Sequence, residues 1–125
     1  MSNEWTKAEK IIARQAFDAA YQRECAAIIA AVQKQAAEMK TPEDIWKLEE
    51  YLYKKRRDID ETYDYRYSVL LMVLGGLLRE GWLSFDELSG LSEDKLESFR
   101  FLLNFAKDYK PRKENEEHQE ANDDI

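Results

Sequence analysis

Residues 41–83, TPEDIWKLEEYLYKKRRDIDETYDYRYSVLLMVLGGLLREGWL, decide how this chain is organised. Thr41 can cap a helix, Pro42 suits a first helical position, and Glu43 with Asp44 complements the positive end of the helix dipole. No further proline occurs before Pro111, and Gly81 offers a C-terminal stop. The pattern predicts one helix across the whole stretch, about 55–60 Å long at ~1.5 Å per residue. Its first half is dense in aromatic and charged side chains, and its second half is apolar. A chain of 125 residues cannot cover such an element along its full length, so the helix calls for a partner surface.

The flanking segments read as helices too. Residues 5–39 place Phe17, Tyr21, Cys25, Ile28, Val32 and Met39 at steps of three, four and seven, which makes one apolar helical face. Beside it runs a row of small residues, Ala13, Ala16, Ala20, Ala27 and Ala31. Such a row admits close approach either by a second copy, in a dimer seam, or by an ordinary intrachain core. In the second helix the apolar stripe is Ile45, Leu48, Leu52, Ile59, Tyr63, Leu70, Leu74 and Leu77. Lys55 interrupts it, so the face is expected to be wettest around the basic cluster. Ser84 and Glu87 have capping-box spacing for a short third helix ending at Gly90. Ser92 then caps a fourth helix with Leu96, Phe99, Leu103 and Ala106 on its buried side. The reading is all-α: a helical domain over 1–109, followed by a charged tail over 110–125 too poor in apolar residues to order.

Composition narrows the function classes. The longest apolar run, 69–78, has ten residues including Gly75 and Gly76, short of the ~20 needed to span a bilayer, so no direct membrane insertion is expected. The opening residues lack the charged-then-apolar pattern of a signal peptide, and a single cysteine, Cys25, fits a reducing cytoplasm. A formal charge of −7, of which the tail supplies −3, argues against nucleic acid as a partner. The only histidine, His118, lies in the tail, which removes Cys–His and Ser–His–Asp nucleophilic arrangements and zinc sites of the usual Cys/His type. Asp60 and Asp64 are four apart, but the Glu-x-x-His partner of a bundle metal site is missing, so a solvated acidic face is the simpler reading. No catalytic residue, metal or cofactor is predicted.

What remains is a surface. Trp46, Glu49, Glu50, Tyr53 and Arg56 fall at spacings that share one stripe of the second helix. Tryptophan, tyrosine and arginine are the residues enriched at interface hot spots, and carboxylate and guanidinium groups orient a partner by charge-assisted hydrogen bonds. The alternative is that Trp46 packs inside while the charges form local i, i+4 pairs worth a few tenths of a kcal/mol each.

Five runs in register carry a resemblance: AYQRE at 20–24, DIWKL at 44–48, the KR-x-x-ID frame at 55–60, YDYRYSVL at 63–70 and LLREGWL at 77–83. Together they resemble the fluorescence recovery proteins of cyanobacteria over about 5–103. The resemblance implies an all-helical homodimer without a cofactor, expected here as long helices in an antiparallel pair; the long apolar and alanine-bearing surface of the first helix places Ile28, Ile29 and Val32 in its seam. The implied partner is the photoactivated red form of the orange carotenoid protein, bound mainly through its C-terminal domain. Binding speeds the return of that protein to its orange form and its release from the phycobilisome, which ends non-photochemical quenching. The implied location is cytoplasmic, peripheral to thylakoids through the partner. Trp46 and Arg56 match the family's functional tryptophan and arginine. Glu50 replaces an aspartate, Glu49 stands where the best-known members have histidine, and Met72 where they have phenylalanine. These departures leave a second reading open, a helical dimeric adaptor of the same type serving a different sensor protein.

Overall fold

The computed structural model describes residues 4–105, so the tail 110–125 and Ala106 lie outside the described residues. Helix α1 spans Lys7–Glu38, α2 Pro42–Thr62, α3 Tyr67–Arg79 and α4 Glu93–Phe105, with a 3-10 turn over Phe85–Leu88. Among the described residues every regular element is helical, as the all-α reading expects.

Local signals set the ends of these elements. Thr6 caps α1: its hydroxyl accepts the Glu9 N–H at 3.1 Å, and the Glu9 carboxylate accepts the Thr6 N–H at 3.0 Å. At the start of α2 the Asp44 carboxylate accepts the N–H groups of Lys40 and Thr41 at 2.8 and 2.9 Å. Burial slightly opposes these bonds, which still hold that carboxyl below its ordinary range. The 3-10 turn opens with the Glu87 carboxylate accepting the Ser84 N–H at 2.8 Å. Helix α3 ends in a Schellman motif, with the Trp82 N–H donating to Leu77 O and the Gly81 N–H to Leu78 O. Gly81 takes φ 88°, a left-handed conformation that an L side chain resists. It therefore sits one residue beyond the cap, Glu80.

The core lies at one end of the molecule. Ala13, Ala16, Phe17 and Ala20 of α1 pack with Leu70, Leu74 and Leu77 of α3, Leu88 of the 3-10 turn and Phe99 of α4. Each fully buried leucine contributes about 1.5–3 kcal/mol relative to exposure. Small side chains on α1 let α3 approach closely, so the first half of the alanine row belongs to the intrachain core. Ala27, by contrast, is exposed. The last buried residue of α1 is Glu24, and the only buried residue of α2 is Lys55. Beyond Glu24, α1 and α2 form a hairpin joined by residues 39–41, and most of its surface is uncovered by the rest of the chain.

The expectation of one continuous helix over 41–83 is corrected here. Residues 63–66 are not helical and separate α2 from α3. The physical reason lies in Tyr63, Tyr65 and Tyr67, which alternate along the chain. A helix would turn alternate residues by ~200° and scatter them, whereas extended backbone keeps i and i+2 on one side. Tyr63 and Tyr65 each meet Phe17 edge-on, with ring centroids 5.4 and 4.8 Å apart, and Tyr65 meets Tyr67 at 5.7 Å. Each such pair is worth ~0.5–1.5 kcal/mol beyond area burial, against a few tenths for helix propensity. Asp64 closes the break by accepting the Arg66 N–H at 3.1 Å and its guanidinium at 2.6 Å. The break folds α3 onto the first half of α1.

Gly76 lies inside α3, and a Cβ added there would meet nothing within 4 Å. Gly76→Ala is expected to stabilise the chain by about 0.5–1 kcal/mol, the helix-interior difference between the two residues. A thermal melt reads this directly. A lower midpoint would mean that another molecule covers this face.

Candidate functional site

Helix α2 presents the predicted stripe to solvent. Trp46 is 62% exposed and Tyr53 65%, so Trp46 does not pack inside. Glu49, Glu50 and Arg56 are exposed on the same helix. Local pairs coexist with this exposure: Lys54 Nζ lies 3.0 Å from Glu50, Arg56 Nε 3.6 Å from Asp60, and Arg57 3.8 Å from Glu61. Exposed i, i+4 pairs are worth only ~0.3–0.5 kcal/mol, so an incoming partner can take over the charges at small cost. Met72 is 72% exposed but belongs to α3, beyond the break, and so does not share the α2 stripe.

The residues expected in a dimer seam occupy the second half of α1. Ile29 is 57% exposed, while Ile28 and Val32 are half-buried. Across the hairpin Ile45 and Leu52 of α2 are also exposed. Two neighbouring helices thus leave apolar side chains in water over the same half of the molecule.

Lys55 reverses the expectation that the basic cluster is the wettest part of the stripe. It is only 6% exposed, with its ammonium 5.4 Å from the Tyr51 ring centroid. A long aliphatic stem buries well where the charged end finds an aromatic face.

Among the polar links between distant residues, three tie the head, made of α3, the 3-10 turn and α4, or the break at 63–66, to α1. Sequence spacing does not reveal them. The Glu9 carboxylate accepts the Ser92 N–H at 2.8 Å and lies 3.3 Å from Lys95 Nζ, while that ammonium also donates to Glu4 O at 2.8 Å. Burial pushes the Glu9 carboxyl up, but the Thr6 and Ser92 N–H groups and Lys95 together outweigh it and hold the group ionised. One carboxylate thus serves the N-termini of both α1 and α4. The Tyr63 hydroxyl donates to Glu24 at 2.9 Å and fixes the break against α1.

Arg23 forms the third link, meeting Glu87 with both terminal nitrogens, at 2.9 and 2.7 Å, and donating to Trp82 O at 2.9 Å. The Arg23 guanidinium beside Glu87 holds that carboxyl down from 4.5 to about 2. A depressed carboxylate contributes stability above its unfolded value and loses it as pH falls through the folded one. The contribution of this pair should therefore disappear between pH 4.5 and about 2. Arg23→Gln is expected to lower the urea midpoint at neutral pH, with the difference from wild type closing in that acid window. A difference that stays constant down to the acid end would assign the loss to packing instead.

The comparisons with known proteins fall on this same frame. The family model described as photoprotection regulator fluorescence recovery protein matches residues 5–102. The chain belongs to the fluorescence recovery protein family. The Fluorescence recovery protein of Synechocystis sp. is 41% identical over 98 residues, covering 78% of this chain and 90% of that protein. The solved structure of the Fremyella diplosiphon Fluorescence Recovery Protein superposes with a TM-score of 0.77 at 44% identity, over 81% of this chain and 99% of that one. The Synechocystis structure gives the same TM-score at 40% identity and the same coverage. The match takes in α1, α2, α3 and most of α4, so the break at 63–66 and most of the head lie within it. The family is one of photoprotection regulators. Among the described residues no helix is long and apolar enough to cross a membrane, and no cluster of three potential metal ligands occurs.

Proposed function

We propose that this protein binds the photoactivated red form of the orange carotenoid protein, chiefly through that protein's C-terminal domain. Binding accelerates return to the orange form and promotes release from the phycobilisome. The observation that carries the reading is the Trp46–Tyr53–Arg56 stripe, a hot-spot composition left in water on a helix that the rest of the chain scarcely covers. Matches to the family's tryptophan and arginine fall on the same stripe.

The working unit in this reading is an antiparallel homodimer, cytoplasmic and peripheral to thylakoids through its partner. Ile28, Ile29 and Val32 form its seam, supported by the apolar side chains that the α1–α2 hairpin leaves exposed. Two copies present two equivalent stripes. Closure of the partner's domains is catalysed without covalent chemistry when the regulator binds the barrier to closure more tightly than it binds the open form. A lasting shift of population needs, in addition, different affinities for the two end states.

The test is the dark decay of red-form absorbance after blue light, with and without added protein, together with a binding measurement. Acceleration supports the reading. Binding with an unchanged decay rate makes the chain an adaptor of recovery type, and Glu49 and Met72 become the first positions to exchange for histidine and phenylalanine. Absence of both binding and acceleration removes the carotenoid protein as partner.

A further inference from the structure

Along the first turns of α1, Lys7, Lys10 and Arg14 stand at i, i+3 and i+7 and are all exposed, so they form one ridge. The ridge rests on a shelf of aromatic rings. Lys10 Nζ is 4.9 Å from the Tyr67 centroid, and the Arg14 guanidinium is 4.6 Å from that of Tyr65. Arg66 lies beside the shelf in sequence.

Several other basic groups already answer carboxylates. Lys54, Arg56 and Arg57 pair with Glu50, Asp60 and Glu61, Arg23 with Glu87, Lys95 with Glu9, and Arg100 with Glu93 and Glu97. Lys34, Lys40 and Lys47 are exposed as well, but each stands among Glu38, Glu43 and Asp44 in the sequence. Arg14 and Arg66 use Asp18 and Asp64. Among the described residues no carboxylate pairs with Lys7 or Lys10. On a chain of charge −7 this ridge is a local surplus of positive charge held over aromatic faces.

We infer that the acidic segment 114–125 of this chain docks on the Lys7–Lys10–Arg14 ridge. Charge complementarity names the occupant: the segment carries six carboxylates and no lysine or arginine. The geometry of α4 gives it reach. The Lys95 ammonium, near the start of α4, lies 4.6 Å from the Trp5 ring centroid, and that ring is 6.4 Å from Tyr67. Phe105 is ten residues further on, about 15 Å of helix. The eight residues 106–113 span up to about 27 Å when extended, more than the return requires. Contacts of this kind are screened by salt and add little to global stability. Such docking does not depend on the partner proposed above.

The experiment compares amide resonances of the full chain with those of a full-length variant whose tail carboxylates become amides: Glu114→Gln, Glu116→Gln, Glu117→Gln, Glu120→Gln, Asp123→Asn and Asp124→Asn. At about 0.05 M salt the differences should centre on residues 7–14 and 65–67, and shrink at least about threefold at about 0.5 M. Lys7→Glu with Lys10→Glu, both on exposed positions, should abolish them at low salt while the rest of the spectrum stays folded. Differences that are absent, centred on Lys47 or Lys54, insensitive to salt, or preserved in the double reversal would each overturn the inference.

Discussion

Trp46→Ala is expected to weaken binding to the photoactivated carotenoid protein by about thirtyfold or more, which corresponds to ~2 kcal/mol for loss of a central aromatic anchor. At limiting regulator the accelerated decay of the red form should slow accordingly. Arg56→Glu should weaken it further by reversing the charge offered to the partner. Neither change should disturb the fold. Trp46 is 62% exposed, and Arg56 makes only a 3.6 Å surface contact with Asp60. A circular dichroism spectrum and melt identical to wild type would accompany the loss. If Trp46→Ala leaves the decay rate and affinity unchanged while remaining folded, the stripe is not the recognition surface, and the exposed Met72 of α3 becomes the place to look.

The stripe could be read from sequence because Trp46, Tyr53 and Arg56 share it by local spacing, offset from the Ile45–Leu48–Leu52 series. Its exposure could not: spacing left open that Trp46 packs inside, and only the folded chain shows it in water together with Ile45 and Leu52. The Ser84–Glu87 capping box was legible from local spacing as well, since its partners lie three residues apart. The break at 63–66 was not legible from helical periodicity, because helix signals on both sides are strong and the decisive contacts run to Phe17, more than forty residues away. The alternation of Tyr63, Tyr65 and Tyr67 was the available clue, a period of two inside a helical pattern. Lys55 misled for a related reason. Charge predicts exposure on average, yet the Lys55 side chain is buried with its ammonium beside the Tyr51 ring. The Glu9–Lys95 and Arg23–Glu87 pairs join residues 86 and 64 positions apart, and only the folded chain brings them together.

The same contrast between a dense head and a bare hairpin leads to the second large effect. The core stops near Glu24 on α1, while Ile29, Ile45 and Leu52 remain in water on the hairpin beyond it. Ile29→Glu should convert the proposed dimer to monomer. A carboxylate at a symmetric seam is buried without a partner in both copies, and each burial opposes association by several kcal/mol. Within the single chain Ile29 is 57% exposed, so the monomer itself should keep its helices and its head. Sedimentation at micromolar concentration would show the halved mass, with helical content falling only modestly. A monomer that still binds the carotenoid protein through Trp46 but accelerates closure poorly would assign dimerisation to the catalytic step rather than to recognition. An unchanged dimer would move the seam from Ile28, Ile29 and Val32 to the Ile45–Leu52 face of α2, the other apolar surface that the hairpin leaves uncovered.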